Sequence, residues 1–217
     1  SHLGEVPFWD SVTERLLWVD ILGKKILEHD FENEVTMDRD VSGNPGCVVL
    51  ADDETLVAAI DNGIFSINRS DWSFQSLVEA DPIPRLRFND GKCDEKGRLW
   101  VGTMDREERD PLGTLYCCST ESSLEPAHGG VTVSNGIAWS TNNEELYYID
   151  SPTRCVCAFD FDLSSGQIKD KRELIKFTED DGFPDGMTTD SEGSLWIAFW
   201  GGSKVLCIDP GSGKIEG

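Results

Sequence analysis

Short apolar runs alternate with polar turns along the whole chain, and the spacing is that of strands. Apolar residues at i, i+3, i+4 and i+7 are nowhere sustained over three turns, so no amphipathic helix is predicted. The apolar runs recur: Leu17-Trp18-Val19, Leu56-Val57-Ala58, Leu99-Trp100-Val101, Leu146-Tyr147-Tyr148 and Leu195-Trp196-Ile197, with starts 39, 43, 47 and 49 residues apart. Polar clusters such as Asp94-Glu95-Lys96-Gly97-Arg98 and Asp190-Ser191-Glu192-Gly193-Ser194 precede most of them and read as hairpin loops. A second strand follows each run, for example Cys155–Phe159 and Val205–Ile208. A period in the forties built of short strands predicts an all-β chain, a β-propeller with one four-stranded blade per repeat. A regularly spaced β-sandwich is the weaker alternative. Five units are visible, in a single domain spanning residues 1–217.

The strand ahead of each hairpin loop carries the chemistry. In a propeller this strand lines the central channel, and in three units it holds a polar residue followed by glycine: Asn89-Asp90-Gly91, Ser134-Asn135-Gly136 and Pro184-Asp185-Gly186. The first unit has Gly4-Glu5-Val6 in the same place. Equivalent positions of successive blades meet around one axis, so Glu5, Asp90, Asn135 and Asp185 are predicted to converge although they lie far apart in sequence. Carboxylates forced together in this way repel one another unless a cation neutralises them, and a hard cation prefers such oxygen ligands. The plainer alternative is a set of strand-start turns with polar caps.

Composition narrows the function classes. A net charge of −22, from 41 acidic and 19 basic residues, argues against nucleic-acid binding, which needs a basic patch. The apolar runs are too short to span a membrane. Seven cysteines occur without a C-x-x-C, and neither the adjacent Cys117-Cys118 nor the alternating Cys155 and Cys157 matches a zinc site or a secreted disulfide framework. Free thiols in a reducing cytosol are the expectation, hence a cytoplasmic protein. Serine-hydrolase chemistry fits poorly: there is no G-x-S-x-G, and His2, His29 and His128 lack a triad context. Trp9, Trp18, Trp100 and Trp196 lie in or beside strands and are expected in the core.

Six ordered motifs carry a resemblance: Gly4–Trp9, Arg87–Lys92, Gly102-Thr103-Met104, Val133–Gly136, Tyr148-Ile149-Asp150 and Pro184–Met187. Together they resemble the gluconolactonase, regucalcin (senescence marker protein) and luciferin-regenerating enzyme family, from Gly4 to the end of the chain. The resemblance implies a six-bladed propeller with one divalent cation (Ca²⁺, Zn²⁺, Mg²⁺ or Mn²⁺) at the channel mouth. Glu5, Asn135 and Asp185 match that metal's ligands, and Asp185 doubles as general base. Arg87 and Asn89 match the residues that orient substrate, and Glu107 falls where the family has a substrate-contacting glutamate. Five units counted against six implied make a last blade and a ring-closing strand the expected missing parts.

The function so implied is metal-dependent hydrolysis of a small sugar lactone. The cation would polarise the lactone carbonyl and Asp185 would take a proton from the attacking water. The alternatives are a calcium-binding regulatory protein without turnover and an enzyme of the luciferin-regenerating type.

Overall fold

The computed structural model describes residues 1–79, 83–118 and 123–216. Five four-stranded antiparallel sheets follow one another in chain order, each running from its first strand to its fourth. The first holds β1 (Gly4–Asp10), β2 (Arg15–Asp20), β3 (Lys25–Asp30) and β4 (Val35–Asp40). The second holds β5 (Pro45–Asp52), β6 (Thr55–Ile60), β7 (Gly63–Asn68) and β8 (Phe74–Glu79). The third holds β9 (Leu86–Cys93), β10 (Leu99–Asp105), β11 (Gly113–Cys118) and β12 (Leu124–Val131). β13 (Ser134–Trp139), β14 (Glu145–Asp150), β15 (Cys155–Asp162) and β16 (Gln167–Lys176) form the fourth. The fifth comprises β17 (Phe183–Thr189), β18 (Leu195–Trp200), β19 (Lys204–Asp209) and β20 (Lys214–Ile215). The first strands touch in succession, β1 on β5, β5 on β9, β9 on β13 and β13 on β17. This is the five-blade propeller arrangement that the repeat predicts.

Turn chemistry explains part of the acidity. In the first sheet an aspartate ends each of the first three strands and accepts backbone N–H groups from the turn that follows: Asp10 from Val12 and Thr13, Asp20 from Gly23, Asp30 from Asn33. The same turns close on Glu14, Lys24 and Glu34, each with φ near +50°. An aspartate side chain that mimics a backbone turn is the reason this residue recurs there. A longer version recurs in the third and fifth blades. Asp94 accepts from the backbone of Lys96 and Arg98 and from the Trp100 indole at 3.0 Å, and Asp190 does the same for Glu192, Ser194 and Trp196.

Four apolar clusters fill the spaces between neighbouring blades. Leu17, Val19 and Ile26 of the first pack on Val48, Leu56 and Ile67 of the second, and Cys47 and Ile64 meet Phe88 and Val101. Trp100 and Leu115 meet Leu146 and Tyr148, while Ile149 and Val156 meet Leu195, Ile197 and Phe199. Strand alternation therefore sends every second residue of β18 into the last cluster and turns Trp196 and Trp200, 45% and 60% exposed, to the other face. Trp9, 49% exposed, lies on the corresponding outer face of the first sheet and packs edge-on against Phe31. The expectation that the tryptophans are core thus holds for Trp100, which is fully buried, but not for Trp9 and Trp196. These two stand on the faces of the first and fifth sheets that point away from the four clusters. Among the described residues no helix is long and apolar enough to cross a membrane.

Candidate functional site

Each innermost strand departs from regular pairing where the sequence carries its polar residue. Register shifts fall between Glu5 and Phe8 in β1, between Ser134 and Ile137 in β13, and between Pro184 and Met187 in β17. In β9 the shift lies opposite Val101–Thr103, across from Asn89 and Asp90. A bulge leaves its residue unpaired and re-aims the side chain, and Asp90, Asn135 and Asp185 all lie within these shifts. Val6, directly after Glu5, adopts φ +51°, a rare conformation for a β-branched residue. The glycine after Asn135 has a packing role. A Cβ on Gly136 would lie 2.7 Å from the Asp185 carbonyl oxygen, so its absence lets β13 and β17 approach.

A directed chain of hydrogen bonds links three blades. The Arg87 guanidinium donates through Nη1 to Asn89 Oδ1 at 2.7 Å and to the Phe88 carbonyl at 2.9 Å. Asn89 Nδ2 donates to the Ser134 carbonyl at 2.7 Å and to Asn135 Oδ1 at 3.0 Å. Asn135 Nδ2 donates to Ser151 Oγ at 2.8 Å, and the Ser151 hydroxyl donates to the Pro184 carbonyl at 2.7 Å, next to Asp185. The chain fixes both amides. Asn135 turns Oδ1 towards Asn89 and Nδ2 towards Ser151, and one of the two Oδ1 lone pairs remains unused.

The carboxylates form the electrostatic centre. Glu5 is pushed up to about 7 by burial and by the charges of Asp185 and Asp90, against a smaller lowering by Arg87. Asp90 rises to about 6 through burial, opposed by Lys92 and reinforced by Asp185. Asp185 rises to about 6 through burial alone, partly offset by the Gly186 amide. Glu5 thus feels both Asp90 and Asp185, and Asp90 feels Asp185. Asn135 is linked by its amide to Asn89 and Ser151. Among the described residues none of the three carboxylates has an ion-pair partner, whereas most other acids near a base are paired. Half-buried carboxylates outside any ion pair suit a hard cation. Among the described residues there is no group of three or more His, Cys, Asp or Glu side chains set close enough to hold a metal. The set implied by the resemblance contains only two carboxylates and completes itself with the Asn135 amide oxygen.

Arg87 is half-buried, and burial lowers its pKa to about 10, with Arg106 adding to the effect and Glu108, Asp61 and Glu5 opposing it. Glu107 lies elsewhere. Its side chain, 54% exposed, pairs with Arg109 and stands 3.5 Å from Arg85, so it is Glu108 whose charge acts on Arg87. The loop that carries both is held by Asp105, whose carboxylate takes two hydrogen bonds from Arg85 and the backbone N–H groups of Glu107, Arg109 and Asp110. Two residues were missed in the sequence. Ser151 sits in the 3₁₀ turn Ser151–Thr153 and gives no sequence signal beyond a serine before a proline. Lys92 reaches from β9 to β17, donating to Thr188 Oγ1 at 3.0 Å, and its place two residues after Asp90 on one strand face is a usable signal.

A five-blade β-propeller arrangement whose innermost strands carry half-buried carboxylates and an amide beside their register shifts is the class that fold and site define. The chain belongs to the SMP-30/Gluconolactonase/LRE-like family, whose model matches residues 3–217. It is 36% identical over 211 residues to YvrE of Bacillus subtilis, whose name assigns it as a sugar lactone lactonase, across 96% of this chain and 72% of that protein. It is 37% identical over 218 residues to regucalcin of Xenopus laevis, across 98% and 73%. Among solved structures, a luciferin-regenerating enzyme superposes with a TM-score of 0.93 at 29% identity, covering 98% of this chain and 74% of the other.

Proposed function

We propose that this protein is a metal-dependent hydrolase that opens the ring of a small sugar lactone. The observation that carries the reading is the mutual charge effect among Glu5, Asp90 and Asp185, none of which forms an ion pair among the described residues, together with an Asn135 amide oriented by Asn89 and Ser151. Glu5, Asn135 and Asp185 would hold one divalent cation, Ca²⁺, Zn²⁺, Mg²⁺ or Mn²⁺, which when bound polarises a carbonyl and makes a nearby water more acidic.

Asp185 is the general base. It takes the proton of the water that adds to the lactone carbonyl, and its enclosed position raises its proton affinity relative to a surface aspartate. Arg87 orients the sugar through the guanidinium N–H groups not committed to Asn89 and Phe88. Asn89 contributes mainly by holding Arg87 and Asn135, because both of its amide hydrogens are spent inside the protein. Its Oδ1 keeps one lone pair for a substrate hydroxyl. Glu108, and not Glu107, is the acidic neighbour of Arg87 and the better candidate for a substrate contact from that loop. Free thiols at Cys47, Cys93, Cys117, Cys155, Cys157 and Cys207 support a reducing, cytoplasmic setting.

The test is hydrolysis of a panel of γ- and δ-lactones of sugars, with each divalent cation added after chelation. Metal-dependent turnover that disappears in Asp185→Ala supports the assignment. The regucalcin relative makes calcium binding without turnover the specific rival. Tight Ca²⁺ binding with no lactone in the panel opened would replace the enzyme reading with that one.

A further inference from the structure

Cys155 and Cys157 stand apart from the axial site and from the other cysteines. They lie two residues apart on β15, and their sulfurs are 3.6 Å apart in an S–H···S contact. Residues i and i+2 of a regular strand are separated by about 6.7 Å along the chain, so their side chains do not normally touch. Here the sulfurs do touch, and beside them the pairing with β16 is interrupted, Val156 facing Ile175 and Cys157 facing Glu173 with Leu174 extra. Cys155 is buried, at 3% exposure, and Cys157 is partly open. Lys171 favours the Cys157 thiolate from β16, against the opposing charges of Glu173 and Asp150, and the same ammonium approaches His128 Nε2 at 2.9 Å.

We propose that Cys155 and Cys157 form a redox-active dithiol that exchanges with low-molecular-weight disulfides and closes reversibly to an intrachain disulfide. Cys157 is the attacking thiol, being the more open and the one beside Lys171. Its thiolate attacks one sulfur of a disulfide RS–SR, the S–S bond breaks, and RS⁻ departs and is protonated. The Cys155 thiol then gives up its proton, and its sulfur attacks Cys157 Sγ in the mixed disulfide and expels the second RS⁻. Two thiols are oxidised and one RS–SR becomes two RSH. Proton loss follows the same division. The hydrogen bond between the sulfurs, helped by the Lys171 charge and opposed by burial, Glu173 and Asp150, holds Cys157 below the usual thiol range, while the same bond and burial push Cys155 well up. By contrast, burial raises Cys47, Cys93, Cys117 and Cys118.

The closed form is a labile one. A disulfide spans Cα atoms 4.4–6.8 Å apart, so an i, i+2 bridge lies at the outer edge of that range and is strained unless the strand puckers. Strained bridges are the readily reduced kind, which suits a reversible site and not a structural staple.

The experiment uses the full chain, reduced and then exposed to oxidised glutathione, quenched by alkylation and read by intact mass and peptide mapping. The wild type is expected to lose its two thiol hydrogens at the peptide that holds both cysteines, about tenfold faster than an unactivated thiol reacts, and to regain them with dithiothreitol. Cys155→Ser is expected to trap one glutathione on Cys157, and Cys157→Ser to leave Cys155 unmodified. The wild-type result requires no substitution, so it stands whether or not the variants fold. Oxidation that reaches Cys93 or Cys207 first, or a wild-type chain whose Cys155 and Cys157 are both alkylated after exposure, overturns the proposal.

Discussion

Ser151→Ala tests whether the axial site depends on a residue that touches neither substrate nor cation. The hydroxyl accepts from Asn135 Nδ2 at 2.8 Å and donates to the Pro184 carbonyl at 2.7 Å, and Ser151 is only 7% exposed. Its removal deletes both hydrogen bonds and leaves the buried Pro184 carbonyl without this partner. Asn135 is partly open, so water can serve its amide, and most of the cost falls on the carbonyl. The loss is about 2 kcal/mol of stability, from roughly 0.5 kcal/mol for the amide bond and ~1.5 kcal/mol for the orphaned carbonyl. The second effect is on the site. Without Ser151 the amide keeps only its bond from Asn89, and Asn135 Oδ1 is held less firmly. Outer partners of metal ligands typically contribute 10–100-fold to affinity, so Ca²⁺ binding is expected to weaken by about tenfold or more. Urea unfolding with chelator present measures the first effect and calorimetric Ca²⁺ titration the second. Ser151→Thr, which keeps the hydroxyl, is expected to recover most of the binding. Stability within about 0.5 kcal/mol of wild type together with unchanged Ca²⁺ affinity would refute the reasoning.

Two further outcomes follow from the same geometry. Glu5, Asp90 and Asp185 carry raised proton affinities in the metal-free protein. Their stabilising contribution is therefore fully present below their unfolded range near pH 4 and is lost as pH rises through about 6 to 7. Chelated protein is expected to melt at progressively lower temperature across that window, and added divalent cation to flatten the decline; a flat profile in chelator counts against a shared buried cluster. Gly136→Ala inserts a Cβ 2.7 Å from the Asp185 carbonyl oxygen and 2.7 Å from Met187 Cβ, and is expected to cost about 2 kcal/mol or more in urea unfolding. Gly186→Ala, where the same Cβ meets nothing within 4 Å, serves as the near-neutral control, and equal losses at both positions would show that strand approach is not the cause.

Much of the architecture was legible from the one-dimensional pattern, because a propeller blade is a local object. Its strands are consecutive and its hairpins short, and each turn announces itself by an aspartate that satisfies the backbone within a few residues, as at Asp10 and Asp94. The repeat then places Glu5, Asp90, Asn135 and Asp185 at equivalent positions of four innermost strands, each beside a register shift. What required the tertiary structure was everything set between blades. The use of Ser151 as the link from Asn135 to Pro184, the commitment of Asn89 to internal partners, and the choice of Glu108 over Glu107 beside Arg87 depend on side chains from different sheets meeting in space. The exposure of Trp9 and Trp196 is of the same kind. A tryptophan on a strand reads as core whichever face it takes, and only the packing of whole sheets determines which faces are covered. Local spacing encodes hydrogen bonds within a few residues, whereas contacts between blades arise only when the ring is assembled.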